Sequence, residues 1–128
     1  MTTQQTEGYH LPEELLMVQR TVADFRDDEI MGLELQLNSE AAALPEEDYK
    51  RLSGTTQQMG LWCADAPESA GGGGLSYFGS AVMREEMSQH RAGFFVPCYE
   101  TFGVTPPSII FDGTVDQVNT YAKPSVAG

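Results

Sequence analysis

Apolar positions near the start of the chain recur at intervals of three and four residues. They are Leu15, Val18, Val22 and Phe25 and, after a slip of one residue, Ile30, Leu33 and Leu37. This spacing predicts an amphipathic helix that loosens toward Asn38. Pro12 suits the first helical position, and the acidic Glu13 and Glu14 complement the positive end of the helix dipole. The polar, aperiodic residues 1–10 predict a frayed tail, followed by one helical domain over residues 11–128.

Two further helices are expected in the middle of the chain. One begins near Pro45, carries Tyr49, Leu52 and Met59 on one face and closes at Gly60, which suits a left-handed position. The segment LWCADAP is too short for a helix and is expected to be extended. The next helix is N-capped by Ser76 and runs to about His90. Its apolar stripe consists of Phe78, Val82, Met83 and Met87.

The C-terminal part shows the clearest helix boundaries. The apolar stretch GFFVPCYETFGV predicts a buried helix, strained at Pro97, that ends near Gly103 or at the Pro106–Pro107 pair. Thr105 is expected to cap a short helix that buries Ile109, Ile110 and Phe111 and closes at Gly113. Thr114-Val115-Asp116-Gln117 has the pattern of a capping box, and the last helix is expected to stop before Pro124. The predicted fold is all-α, a small orthogonal bundle of five to six helices.

Four consecutive glycines at 71–74 could form a phosphate-binding loop, a flexible linker or a tight turn. A Walker A loop needs a lysine after its last glycine, whereas Ser80-Ala81 follows Gly79 here, and neither register of the dinucleotide motif ends in glycine. Patterned sequence on both sides argues against a linker. We therefore predict a structural turn that uses positive φ angles, with Gly72 and Gly73 as the positions to test.

The charge balance excludes one class of partner. The chain has seven Lys and Arg residues and nineteen Asp and Glu residues, which gives a net charge of −12. This charge repels nucleic acid and is poorly suited to binding a polyanionic cofactor. No apolar run approaches the ~20 residues that span a bilayer, and no secretory signal is visible. Cys63 and Cys98 lack a CxxC pairing, so we expect two buried free thiols and a cytoplasmic location.

Candidate catalytic residues are few. His10 and His90 have no metal-like spacing and are expected at the surface. Glu85 and Glu86 cannot face one substrate together, because adjacent helical residues point about 100° apart. Glu100 is the one carboxylate within the apolar stretch 93–104, where it lies either at the edge of a pocket or turned toward solvent.

Several motifs resemble the N-terminal all-helical domain of the acyl-CoA dehydrogenase family. They are Pro67-Glu68, the glycine turn, GLSYFGSAVMREEM and FDGTVDQVNTYAKPSVAG, in matching order and spacing over about residues 12–128. At Thr105–Ser108 this chain is longer than the compact straight-chain members. Acyl-chain specificity is therefore not carried over.

The resemblance implies a flavoenzyme in which a glutamate removes the α-proton of an acyl-CoA while the β-hydride passes to FAD. The flavin contacts and the base belong to a middle domain, a C-terminal bundle or a partner subunit. No residue here is therefore named as catalytic, and no flavin is expected on this chain alone. The implied share of this domain is one wall of the acyl pocket, formed by Phe94, Phe95, Cys98, Glu100 and Thr101.

A second hypothesis remains open, a non-enzymatic helical interaction module that kept the fold. The two differ in the surface that they predict. A domain built to pack against missing partners should expose part of 93–111, with contributions from Phe78–Met87, and could self-associate. A self-sufficient module should bury the aromatic side chains Phe94, Phe95, Tyr99 and Phe102.

Overall fold

The computed structural model describes residues 10–38, 40–41, 43–89 and 101–128, and within them the regular elements are helical. We number four continuous helices: α1 (Glu13–Phe25, a π-helical turn Arg26–Ile30, and Met31–Gln36), α2 (Glu46–Gln58), α3 (Tyr77–Met87) and α4 (Val115–Gln117, a π-helical turn Val118–Ala122, and Lys123–Ala127). Two 3₁₀ turns, Glu68–Ala70 and Ser108–Asp112, join them. The all-α prediction is confirmed. The predicted count of five to six helices is wrong for the described residues, because 108–112 forms only a 3₁₀ turn.

The slip in the apolar stripe of α1 has a structural cause. The N–H of Met31 donates to the carbonyl of Arg26, five residues back, so this turn holds one residue more than an α-helical turn. The extra residue restores the stripe: Val22, Phe25 and Ile30 are all buried. The sequence interval of five between Phe25 and Ile30 therefore marks a π-turn rather than the end of the helix.

Local signals placed most helix ends correctly. α2 begins immediately after Pro45, and Gly60 has φ of 74°. The hydroxyl of Ser76 accepts from the N–H of Gly79 at 3.0 Å, which confirms the predicted N-cap of α3. At α4, Thr114 and Gln117 form the reciprocal capping box. The predicted helix over 93–104 and the tail before His10 lie outside the described residues, apart from 101–104.

The segment LWCADAP is not extended, contrary to expectation. Cys63 has φ of 45°, and the N–H of Ala66 donates to the Cys63 carbonyl at 3.0 Å, which closes a turn. The N–H of Cys63 donates in turn to the carbonyl of Phe102 at 2.8 Å. This long-range hydrogen bond helps to set the backbone conformation at Cys63. No local sequence pattern predicts it.

Four further expectations fail between Thr105 and Pro124. Thr105 does not cap a helix, because its hydroxyl donates to the Asp65 carboxylate. Ile109 is 78% exposed rather than buried, and Gly113 is in extended backbone rather than closing a helix. α4 continues through Pro124, because the preceding π-helical turn widens the helix where the proline ring and its missing N–H would otherwise disrupt it.

The core has two parts. The larger, the main core, joins α1, α2 and α3: Val22, Phe25, Ile30, Leu44, Leu52, Leu61, Ala64, Met83, Met87 and Phe102. The smaller, the C-terminal core, consists of Cys63, Ala66 and Val126, with Trp62 and Phe111 packed against it. α1 packs chiefly against α3, while α4 is attached through the C-terminal core.

Candidate functional site

Thr101 is the one candidate for the pocket wall that the structure describes, since Phe94, Phe95, Cys98 and Glu100 lie outside the described residues. Its side chain is fully buried, and its backbone carbonyl accepts from the hydroxyl of Thr56, itself fully buried on α2. A buried hydroxyl needs a partner of this kind, because an unsatisfied one costs about 1–3 kcal/mol. Thr101 is therefore fixed in place by α2.

Phe102 and Gly103, the two residues after Thr101, are also fixed in place by packing. The Phe102 ring packs edge-on against Phe25 of α1, with ring centroids 5.2 Å apart. Gly103 has φ of 76°, and a Cβ there would lie 2.8 Å from the Cys63 sulfur and 2.8 Å from the Trp62 ring. Residues 101–103 thus form an anchor, bound by three separate parts of the chain, at the end of the candidate wall segment. Phe102, one of the four aromatic residues that a self-sufficient module should bury, is 2% exposed.

Cys63 is a buried free thiol, as predicted, whereas Cys98 lies outside the described residues. Burial raises the pKa of the Cys63 thiol, because the low-dielectric surroundings disfavour the thiolate. The hydrogen bond with Thr105 opposes this rise but does not cancel it. The thiol is therefore unsuited to act as a nucleophile at neutral pH.

The glycine turn is structural, and its hydrogen bonds show why it cannot hold a phosphate. The N–H groups of Gly71, Gly72 and Gly74 donate to the carbonyls of Glu68, Pro67 and Ala66 at 2.9–3.0 Å. A phosphate-binding loop needs such N–H groups free to point at the ligand. These three are already committed within the turn.

The positive φ angles of the turn lie at other glycines than the two that we predicted. Positive φ angles occur at Gly71 and Gly74, not at Gly72 or Gly73. Gly72 is required for a different reason: a Cβ there would lie 2.2 Å from the Ala66 carbonyl oxygen. A Cβ on Gly73 would similarly lie 2.8 Å from the Ala64 carbonyl oxygen. Close backbone approach, rather than left-handed geometry, excludes side chains at these two sites.

The Glu85–Glu86 pair divides as helical geometry requires, and only Glu86 is buried. Its carboxylate lies 2.6 Å from the guanidinium of Arg26, which also donates to the Glu86 backbone carbonyl at 2.9 Å. Gln19 and Gln89 donate to the same carboxylate. Hydrogen bonding to Asp27 and then to Glu86 raises the pKa of Arg26 above its ordinary value. This buried ion pair joins α1 to α3, and the sequence analysis missed it.

Two surface cavities flank the 3₁₀ turn Ser108–Asp112, which we call the 108–112 ridge. On one side is a groove of about 540 Å³ between the ridge and α4, lined by Ile109, Ile110 and Tyr121 among others. We call it the apolar groove. On the other side is a cavity of about 500 Å³, the acidic pocket, whose lining includes Asp65, Asp112 and Tyr77. Both are open to solvent in this chain.

No cluster of three or more potential metal ligands occurs in the part of the chain that the structure describes. His10 is exposed, as predicted, and His90 is outside that part. None of the described helices is long and apolar enough to cross a membrane. In its described part the chain has four helices around two cores, a glycine turn closed by its own hydrogen bonds and a buried anchor at 101–103. These features define the class of protein as an all-α domain stabilised by helix packing.

The chain belongs to the acyl-CoA dehydrogenase family. Its residues 12–128 match the family model described as acyl-CoA dehydrogenase, N-terminal domain, which confirms the resemblance found in the sequence. It is 35% identical over 94 residues to (R)-benzylsuccinyl-CoA dehydrogenase of Thauera aromatica, an alignment that covers 67% of this chain and 23% of that protein.

Two mammalian relatives match nearly the whole chain. The mitochondrial short-chain specific acyl-CoA dehydrogenase of Homo sapiens is 28% identical, and that of Sus scrofa 30% identical. Each alignment covers 95% of this chain and 28% of the relative. The chain thus spans about a quarter of the length of these relatives. No solved structure matches it significantly.

Proposed function

We propose that this chain is the N-terminal domain of an FAD-dependent acyl-CoA dehydrogenase that introduces an α,β double bond into an acyl-CoA thioester. The observation that carries the proposal is the family match over residues 12–128. The printed names of the relatives, which are dehydrogenases of acyl-CoA or benzylsuccinyl-CoA, support the reaction class. The acyl substrate itself is left open, because the Thr105–Ser108 region departs from the straight-chain pattern.

The contribution that we propose for this domain is one wall of the acyl pocket. Phe94, Phe95, Cys98, Glu100 and Thr101 are the candidate wall residues. The buried anchor at 101–103 supports this role, because a wall must be rigid to discriminate between acyl chains, and residues locked by packing supply that rigidity. In this role the described residues position the acyl chain and exclude water from the pocket. None of them transfers a proton.

The described residues do not fit a flavin. The glycine-turn N–H groups are used internally, the acidic pocket presents Asp65 and Asp112, and the chain carries a net charge of −12. A cofactor with a pyrophosphate is repelled by such a surface. We therefore propose that the flavin and the catalytic base reside in further domains or in a partner subunit, where the acyl-CoA substrate also binds.

The test is to purify the chain alone and together with the polypeptide that its downstream coding sequence specifies. We expect the chain alone to be colourless and the complete assembly to carry flavin and to oxidise acyl-CoA thioesters. In that assembly, Phe94→Ala should change the relative KM values of short and long acyl-CoAs. Val104→Ala, at a position 74% exposed, is the matched control and should not change them. Stoichiometric flavin on the chain alone, or an assembly without dehydrogenase activity, would refute the proposal.

We propose a cytoplasmic location on the basis of the free thiol at Cys63, which suits a reducing compartment. The mammalian relatives are named as mitochondrial enzymes, and that compartment is a property of those proteins. Fractionation of cells that express the tagged natural protein decides the question.

A further inference from the structure

The apolar groove is a shaped surface rather than a scatter of exposed apolar residues. Ile109 is 78% exposed on the ridge and Tyr121 is 61% exposed on α4, and both line the same groove. Gly113 lies between them, where a Cβ would approach the Gln117 side chain to 3.0 Å. Single exposed apolar side chains are ordinary, but apolar side chains that line one concave site indicate a binding surface.

The acidic pocket, across the ridge, has the chemistry of an arginine site. Tyr77 is 92% exposed and lines this pocket together with Asp65 and Asp112. An aromatic face and a carboxylate together favour a guanidinium group, through stacking and charge-assisted hydrogen bonds. Asp65 already accepts from Thr105 and lies 3.5 Å from Arg84, so Asp112, which is exposed, is the better carboxylate to test.

We propose that the 108–112 ridge and its two pockets form a docking surface for a basic, amphipathic segment of another protein. The segment places an apolar side chain in the apolar groove and an arginine in the acidic pocket. Charge complementarity supports this occupant, since the charged residues that line the two cavities, Asp65 and Asp112, are both acidic, and the chain as a whole has nineteen acidic and seven basic residues. The same charge opposes docking of a second copy. The inference does not depend on the dehydrogenase activity proposed above.

The experiment uses a helical peptide of leucine and arginine as the probe, with a counterpart in which citrulline replaces arginine. Citrulline keeps the shape of arginine and removes its charge. Binding to the 128-residue chain is measured by isothermal titration calorimetry at physiological salt. Ile109→Ser tests the apolar groove, and Asp112→Asn tests the carboxylate that lines both cavities. The matched controls are Val104→Ser and Asp116→Asn, at exposed positions that line neither cavity.

We expect the chain to bind the arginine peptide more tightly than the citrulline peptide. Ile109→Ser should weaken binding of both about tenfold, as anchor residues in interfaces do. Asp112→Asn should remove the preference for arginine, and the two controls should change neither quantity. The proposal is overturned if the chain does not bind the peptide, if the controls weaken binding as much as the test variants, or if Ile109→Ser instead dissolves a self-associated form of the chain.

Discussion

The interface between α1 and α3 buries charged side chains. The face formed by the 108–112 ridge and α4, in contrast, exposes apolar ones. At the first, two charged side chains, Arg26 and Glu86, are each 8% exposed. At the second, three apolar side chains, Ile109, Val115 and Tyr121, are 61–78% exposed. Burial of a charge is costly unless it is paired and hydrogen-bonded, and exposure of clustered apolar side chains is uncommon in isolated domains.

The difference shows that the α1–α3 region buries its own core, whereas the ridge and α4 leave apolar side chains exposed. Among the described residues, the main core contains ten buried apolar residues from α1 to Phe102, and the C-terminal core contains three. Regions with few buried apolar contacts open with lower free energy than the rest of a protein. We therefore expect α4 and the ridge to detach before the main core unfolds.

Glu86→Gln should produce the largest loss of stability. The buried Arg26 guanidinium loses its closest carboxylate but keeps Asp27, so we expect a cost near the lower end of the about 3–5 kcal/mol that follows removal of one partner of a buried ion pair. Urea denaturation followed by circular dichroism measures the free energy of unfolding. Glu85→Gln, at the exposed neighbouring position, is the matched control and should leave it unchanged. Equal behaviour of the two variants would show that the ion pair does not stabilise the α1–α3 interface.

Gly72→Ala should destabilise by about 2 kcal/mol, because the added methyl group overlaps the Ala66 carbonyl and the backbone must move. Gly54→Ala in α2 is the control, since a Cβ there meets nothing within 4 Å. That change should stabilise by about 0.5–1 kcal/mol, because alanine favours the helix interior. Thermal melts of both variants check the opposite signs, and a neutral Gly72→Ala would contradict the close approach.

The Cys63 thiol should make stability depend on pH in the alkaline range. Its pKa is raised in the folded state, so its contribution is complete below the unfolded value of about 8.5 and is lost as pH rises through the folded value. The loss should approach about 1.4 kcal/mol per pH unit. Denaturation at several alkaline pH values, in a Cys98→Ser background, should show a steeper decline with Cys63 than with Cys63→Ala. Parallel curves would contradict the burial effect.

Trp62→Phe should weaken the attachment of α4 without unfolding the main core. The indole N–H donates to the Val126 carbonyl at 3.0 Å, and loss of such a hydrogen bond costs about 1 kcal/mol. Amide hydrogen exchange should become faster in 115–127 and remain unchanged in α1 and α3. Uniformly faster exchange would mean that the two regions unfold together.

Ile109→Ser should leave the free energy of unfolding unchanged, because the side chain is mostly exposed. The same change should lower the binding of a hydrophobic dye, since the apolar groove loses one wall. Val104→Ser serves as the exposed control outside the groove. A clear loss of stability in Ile109→Ser would indicate that Ile109 contributes to the core after all.

Features that depend on neighbouring residues in the chain could be predicted from the sequence. The Ser76 cap, the Thr114–Gln117 capping box and the end of α2 at Gly60 follow from local backbone chemistry, and the structure confirms them. The slip in the stripe of α1 was also visible, although its meaning as a π-turn was not. Each of these signals lies within a few residues of the structure that it specifies.

Features that depend on distant contacts could not be predicted. Glu86 meets Arg26 across 60 residues, and no pattern in either helix identifies the partner. The sequence around Thr105 predicts a helix cap, but the Thr105 hydroxyl donates instead to the carboxylate of Asp65, 40 residues away. For the candidate wall, the sequence resemblance named Thr101, whereas its attachment to Thr56 depends on how α2 packs.

Trp62 is the single tryptophan of the chain, and its ring lies where α4 joins the rest of the domain. Both Gly103 and Gly128 lie beside its ring, where an added Cβ would approach the ring to 2.8 and 3.2 Å. Indole fluorescence therefore responds to the detachment of α4 and to the release of the 101–103 anchor, while circular dichroism reports the loss of all helices. These 128 residues thus carry an intrinsic fluorescent probe, and a ligand that changes the packing of α4 against Trp62 can be detected in solution without a label.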